Sequence, residues 1–181
     1  PAMTIIVDTR VAAHIGSGPE STLEWVLSLG ASLATELLRD RLRVSLLGAD
    51  GVIFRPINGE STGAAARLLA TVTDVEPSGR AFLEDCLADP DALGTARTVV
   101  AGLGLLHSRD AAALVAATAR VADIDALVPD ARAFRLPADV VVAHEKACRL
   151  LTTSGWNVAT FGPEATVPQG WGRLVAQREA R

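Results

Sequence analysis

Met3-Thr4-Ile5-Ile6-Val7-Asp8-Thr9-Arg10 is the stretch that decides the fold. Residues 4–7 form an unbroken apolar, β-branched run, the pattern of a strand buried on both faces of a parallel sheet. The run stops at an acid. In an open α/β sheet, polar residues just past the carboxyl end of a central strand sit in the crevice where ligands bind, so Asp8, Thr9 and Arg10 are the first candidate functional residues.

Reading outward, a Gly- and Pro-containing loop over 11–20 leads to Ser21 and Glu24, which have capping-box spacing and predict a helix start. Apolar residues then recur at helical spacing to Arg39. Only the line Glu24, Ser28, Ser32, Thr35, Arg39 is polar, so that helix is expected to be mostly covered. A second strand is expected over 43–47. The tight turn Ala49-Asp50-Gly51 returns the chain as a short antiparallel strand over 52–54, which Pro56 confines to an edge. An alanine-rich helix over 64–72 and a short helix over 80–88, stopped by Asp89-Pro90, come next. A buried strand over 98–103 precedes a helix that Ser108 caps and that runs to Arg120. A weaker strand over 123–128, nearer an edge, precedes a helix over 140–153 with Gly155 as its left-handed cap. Strand 156–161 and helix 167–177 complete the chain.

Alternation of strand and helix, with one hairpin, predicts a doubly wound, mostly parallel six-stranded α/β sheet. The expected order is 3-2-1-4-5-6, with strand 3 antiparallel at the edge and helices on both faces.

The 181 residues, 49% hydrophobic, suffice for one domain spanning 1–181. Its start, Pro1-Ala2-Met3 running straight into a buried strand, reads as a domain cut from a longer chain. A net charge of −4, with 17 basic residues spread along the chain, argues against a nucleic-acid partner. So do the seven aromatics without a tyrosine, too few for base stacking. Cys86 and Cys148, far from any Cys-x-x-Cys spacing, fit a reducing compartment. No apolar run approaches bilayer length, so this part of the chain makes no membrane contact of its own.

An aspartate closing the first strand of such a sheet resembles the von Willebrand factor A-like fold. Thr4-Ile-Ile-Val-Asp-Thr-Arg10, Glu20-Ser-Thr-Leu-Glu-Trp25, Ala31-Ser-Leu-Ala34, Arg43-Val-Ser-Leu-Leu47, Gly155-Trp-Asn-Val158 and Trp171-Gly-Arg-Leu174 together resemble the carboxyl-terminal region of the domain-of-unknown-function 58 family. That resemblance implies a protein-interaction role beside a MoxR-type AAA ATPase in complex assembly. It also implies a cytoplasmic setting, with a membrane tether allowed for in a longer protein.

Many von Willebrand A domains hold a divalent ion with Asp-x-Ser-x-Ser at the end of the first strand, because Mg²⁺ needs clustered hard oxygen donors. The matching positions are Asp8, Arg10 and Ala12. Both serines are missing and a cation stands in their place. Thr62 matches the family's threonine, but the fourth strand ends in Leu103-Gly104 where a second acid is expected. No bound metal and no cofactor is therefore expected, and Asp8 is read as a hydrogen-bonded carboxylate that pairs with Arg10 or caps a nearby loop.

Gly59-Glu60-Ser61-Thr62-Gly63 matches the nucleophile elbow of α/β-hydrolases, with Asp123 or Asp125 and His144 following in order. The motif follows Arg55, Pro56 and Asn58 rather than a buried strand, so a loop in which Ser61 or Thr62 caps the next helix is favoured. His144 and Cys148, one helical turn apart, could ligate a transition metal. No further ligands stand out, and the simpler reading makes Cys148 a core residue and His144 a partly exposed one. Nothing arms His14 or His107 as a base. Lys146 is the only lysine and does not lie in a Gly-Lys-Ser or Gly-Lys-Thr phosphate loop. Trp25, Trp156 and Trp171 are either packing residues or, where exposed at the crevice, interface anchors, and the sequence leaves both readings open.

The expectation is thus a non-enzymatic protein-interaction domain with a degenerate metal-ion-dependent adhesion site. Its partner-binding edge comprises Asp8, Thr9, Arg10, Thr62 and His107. The alternatives are a metal-dependent ligand-binding von Willebrand A domain and a small serine hydrolase using Ser61.

Overall fold

The computed structural model describes residues 2–57, 63–88 and 93–180. Six strands form one sheet: β1 (Ala2–Val7), β2 (Arg43–Gly48), β3 (Gly51–Phe54), β4 (Thr98–Gly102), β5 (Asp123–Pro129) and β6 (Asn157–Phe161). Their order is β3-β2-β1-β4-β5-β6, and only the β2–β3 pairing is antiparallel. The expected fold is the observed one. β1 has β2 on one side and β4 on the other, and with helices on both faces Ile5 and Ile6 are both fully buried although they point to opposite faces.

Ile5 and Val7 pack with Val26, Leu29 and Leu174, on the face covered by α1 (Thr22–Arg39), α2 (Ala64–Thr73) and α6 (Val167–Glu179). Ile6 packs with Leu83, Leu114 and Leu151, on the face covered by α3 (Glu84–Leu87), α4 (Ser108–Ala117) and α5 (Ala138–Thr153). Residues 11–13 and 18–20 form single 3₁₀ turns between β1 and α1.

The Ser21 hydroxyl accepts from the Glu24 N–H, as its spacing predicts, while the Ser21 N–H donates to the Gly18 carbonyl at 3.0 Å. Along α1, Glu24, Ser28, Ser32 and Arg39 are exposed, but Thr35 is buried and donates to the Ala31 carbonyl. Gly155 takes φ +95° just past α5, the left-handed conformation its position predicts.

Three expectations are corrected. The helix expected over 80–88 is only Glu84–Leu87, because the Ala81 carbonyl and the Leu83 N–H bond to side chains elsewhere. Ser108 is the first residue of α4 and His107 its cap, and the helix ends at Ala117 with Thr118 turned back onto the Leu114 carbonyl. His144 is buried rather than partly exposed.

The three tryptophans are packing residues. Trp156 is fully buried, Trp25 stacks on Phe161 with ring centroids 3.8 Å apart, and Trp171 lies against the α1–α6 core. Among the described residues, no helix is long and apolar enough to cross a membrane.

Candidate functional site

At the carboxyl ends of β1 and β4 the chain buries three charges together. Asp8 is 0%, Arg10 2% and Asp110 1% exposed. The Arg10 guanidinium grips Asp8 bidentately, with Nε to Oδ1 at 2.9 Å and Nη2 to Oδ2 at 2.7 Å. Its remaining arm, Nη1, donates to Asp110 Oδ1 at 2.9 Å and to the Ala81 carbonyl at 3.0 Å. A planar fork suits this bridging, which a point-like ammonium could not reproduce.

One cation between two carboxylates leaves an excess negative charge, and backbone dipoles meet it. Asp8 accepts from the N–H groups of Arg10 and Gly104, and Asp110 from those of Leu83 and His107. Asp110 also lies in the first turn of α4, where the helix dipole favours an anion. Burial works against the charged form of Arg10. The hydrogen bonds and charges of Asp8 and Asp110 outweigh it, and its pKa lies above the ordinary arginine value.

Thr9 is buried as well, its hydroxyl accepting from the Ala49 N–H at 3.0 Å and its carbonyl from the Ser78 N–H at 2.7 Å. Residues 78–83 thereby form a strap along β1's exit. Ser78 bridges Arg10 in parallel, its carbonyl accepts from the Val11 N–H, and Ala81 and Leu83 bond the charged cluster. On the other side, His14 Nε2 lies 2.6 Å from the Asp8 carbonyl and Nδ1 lies 2.9 Å from the Thr22 hydroxyl. Burial lowers the His14 pKa, with the Asp8 charge opposing it.

Above the cluster opens a crevice of about 550 Å³, walled by Ala12, Phe82, Leu105, Val140 and Ala143, with His107 and Asp139 exposed beside them. Arg10 and Asp110 form part of its floor. A larger hollow, about 840 Å³, lies along the alanine face of α4 and involves none of the three clustered charges. The crevice is the better candidate because it adjoins the point where the connections from β1 and β4 leave in opposite directions.

The expected partner-binding edge is corrected in part. Asp8, Thr9 and Arg10 are almost wholly buried, Arg10 reaching only the crevice floor, because their polar groups are spent on one another, on Asp110, on Ala49 and on the strap. His107 is exposed at the crevice, its ring edge-on to Phe82 at 6.2 Å between centroids. Thr62 and Ser61 lie outside the described residues. Asp110, which sequence reasoning missed, brings a second buried acid to the carboxyl end of β4. It comes from the third residue of α4.

The acid and base of the hydrolase constellation are not brought together. Asp125 sits near the start of β5, held by Asn157 and Arg178, whereas His144 sits beyond the strand's other end. His144 Nδ1 accepts from the Leu106 N–H at 3.0 Å and Nε2 lies 2.9 Å from the Pro129 carbonyl, which fixes the proton on Nε2 and occupies both nitrogens. Cys148 Sγ approaches that same Nε2 at 3.6 Å, and burial pushes its thiol up to about 12. Neither residue is free to act as base or nucleophile.

A divalent ion does not fit the residues present. Each oxygen of Asp8 and Asp110 already accepts an N–H, and the positions that would supply hydroxyl ligands are Arg10 and Ala12.

No protein-family model matches the chain, and no curated protein matches it.

Proposed function

We propose that this is a non-enzymatic, von Willebrand A-like protein-interaction domain whose degenerate metal site is closed by an internal ion cluster. Its binding surface is the crevice over that cluster. The observation carrying this reading is the division of labour at the sheet's end. The buried polar groups are consumed by one another, while the surface above them is concave and mostly apolar. Such a surface recognises shape and apolar side chains, and the desolvated centre of a protein interface has that character. The resemblance to the domain-of-unknown-function 58 family nominates a MoxR-type AAA ATPase as the partner. It also nominates the cytoplasm as the setting, free or tethered to the inner face of a membrane through a longer chain.

The test is capture of a purified MoxR-type ATPase by wild-type domain and by Val140→Glu, with Leu69→Glu as a control on the exposed side of α2. Capture weakened about tenfold or more by Val140→Glu alone supports the crevice, since a charge is then buried against its apolar walls. Equal capture by all three places the interface elsewhere, and no capture removes this ATPase class as the partner.

A further inference from the structure

We propose that Arg10 is the resident cation of this end of the sheet, and that its role is to fix strap 78–83 so that the crevice is fully assembled without any added ion. Three observations combine. The guanidinium lies between two buried carboxylates, 2.7 and 2.9 Å from the oxygens of Asp8 and 2.9 Å from Asp110, which is 100 positions away in sequence. The same guanidinium takes the Ala81 carbonyl, and the same Asp110 oxygen that it contacts takes the Leu83 N–H. Ala81 and Phe82, between those two anchors, are themselves crevice wall.

One side chain thus neutralises the site and shapes its surface. A divalent ion would need the carboxylate oxygens that Arg10 and the backbone already occupy, and would have to expel the guanidinium to reach them. The cluster is therefore a permanent part of the protein, and recognition at the crevice is indifferent to Mg²⁺ or Mn²⁺. This holds whatever fills the crevice, so it stands or falls separately from the interaction reading.

Hydrogen exchange and thermal unfolding of the full chain test it without a partner. Wild-type protein is expected to unfold at the same temperature in EDTA and in millimolar MgCl₂ or MnCl₂. Amides in 78–83 should exchange equally slowly in both. Arg10→Lys keeps the charge but cannot reach Asp8, Asp110 and Ala81 together. Its strap amides should exchange about tenfold faster or more while the β1, β4 and β5 amides stay protected. In Arg10→Ala, millimolar methylguanidinium should raise the midpoint, and adding Asp8→Asn should abolish that rescue.

Two results overturn the proposal. One is a wild-type midpoint raised by several degrees with Mg²⁺ or Mn²⁺ and lost in Asp8→Asn. The other is unchanged strap protection in a folded Arg10→Lys.

Discussion

The Arg10 guanidinium and the Asp110 carboxylate meet at 2.9 Å although 100 positions separate them, and both are almost wholly buried. Buried ion pairs contribute little over a well-packed apolar replacement, yet breaking one is costly because it strands the survivor. Removing Arg10 strands two carboxylates, whereas removing the charge of Asp110 leaves Arg10 still paired with Asp8. Arg10→Ala should therefore cost roughly 3–5 kcal/mol. Asp110→Asn, whose amide oxygen can still accept a backbone N–H, should cost roughly 1–3 kcal/mol. Urea unfolding of both variants checks the order, and an equal or inverted pair of losses would show that the cluster does not depend on its cation.

His144 makes acid destabilising. Burial holds its folded-state pKa below the ordinary value, with the Pro129 carbonyl and nearby acids opposing. The unfolded chain then binds a proton at a pH where the folded one does not. Stability from this group is complete above about pH 6.5 and falls as pH drops toward the lowered folded value. His14, lowered by burial as well, acts in the same direction. Urea midpoints between pH 7.5 and 5.5 should decline, and His144→Gln should flatten part of that slope even though it lowers stability overall.

The two thiols should be inert in the native protein. Burial pushes Cys86 up to about 11, with the Asp8 charge adding to it, and Cys148 up to about 12. Only the thiolate alkylates, so at pH 8 iodoacetamide should label either residue about a hundredfold or more slowly than in the urea-unfolded chain. Mass spectrometry of quenched samples reads this directly, and comparable native and unfolded rates would refute it.

Gly104 is required by a backbone approach. A Cβ there would lie only 2.4 Å from the Ala13 carbonyl oxygen, beside the amide that holds Asp8. At Gly30 the equivalent atom meets the Val7 Cγ2 methyl at 2.6 Å, a side-chain rather than a backbone contact. Gly104→Ala should therefore lose roughly 1–3 kcal/mol and Gly30→Ala less. Thermal unfolding of the two single variants decides whether the difference exists.

The strand order was readable because residues 4–7 and 98–102 are apolar runs of strand length, and 124–128 one interrupted only by Asp125, with helical periodicity between them. Those local patterns leave few alternatives for a sheet. Asp110 was not readable in that way: its role arises only when α4 docks and closes a hundred-residue loop. One local clue existed. His107 and Asp110 have cap-and-third-residue spacing, but taking Ser108 as the cap shifted that register by one. His144 could have been placed correctly, since Val141, His144, Ala147 and Leu151 share one helical face and all four are buried. The shortened α3 could not, because the groups that interrupt it belong to Arg10 and Asp110.

β1 occupies the middle of the sheet yet lies at the start of this chain, and its second neighbour, β4, begins only at Thr98. During synthesis at roughly 5–20 residues per second, about 5–20 s separate the appearance of these two strands. Early in that interval the apolar run Thr4 to Val7 lacks both neighbours, and once β2 has emerged it still lacks β4, leaving at least one edge open to other chains. The order in which the chain emerges thus makes the central strand its aggregation hazard, and chaperone dependence of the nascent protein should track the delay before β4 arrives.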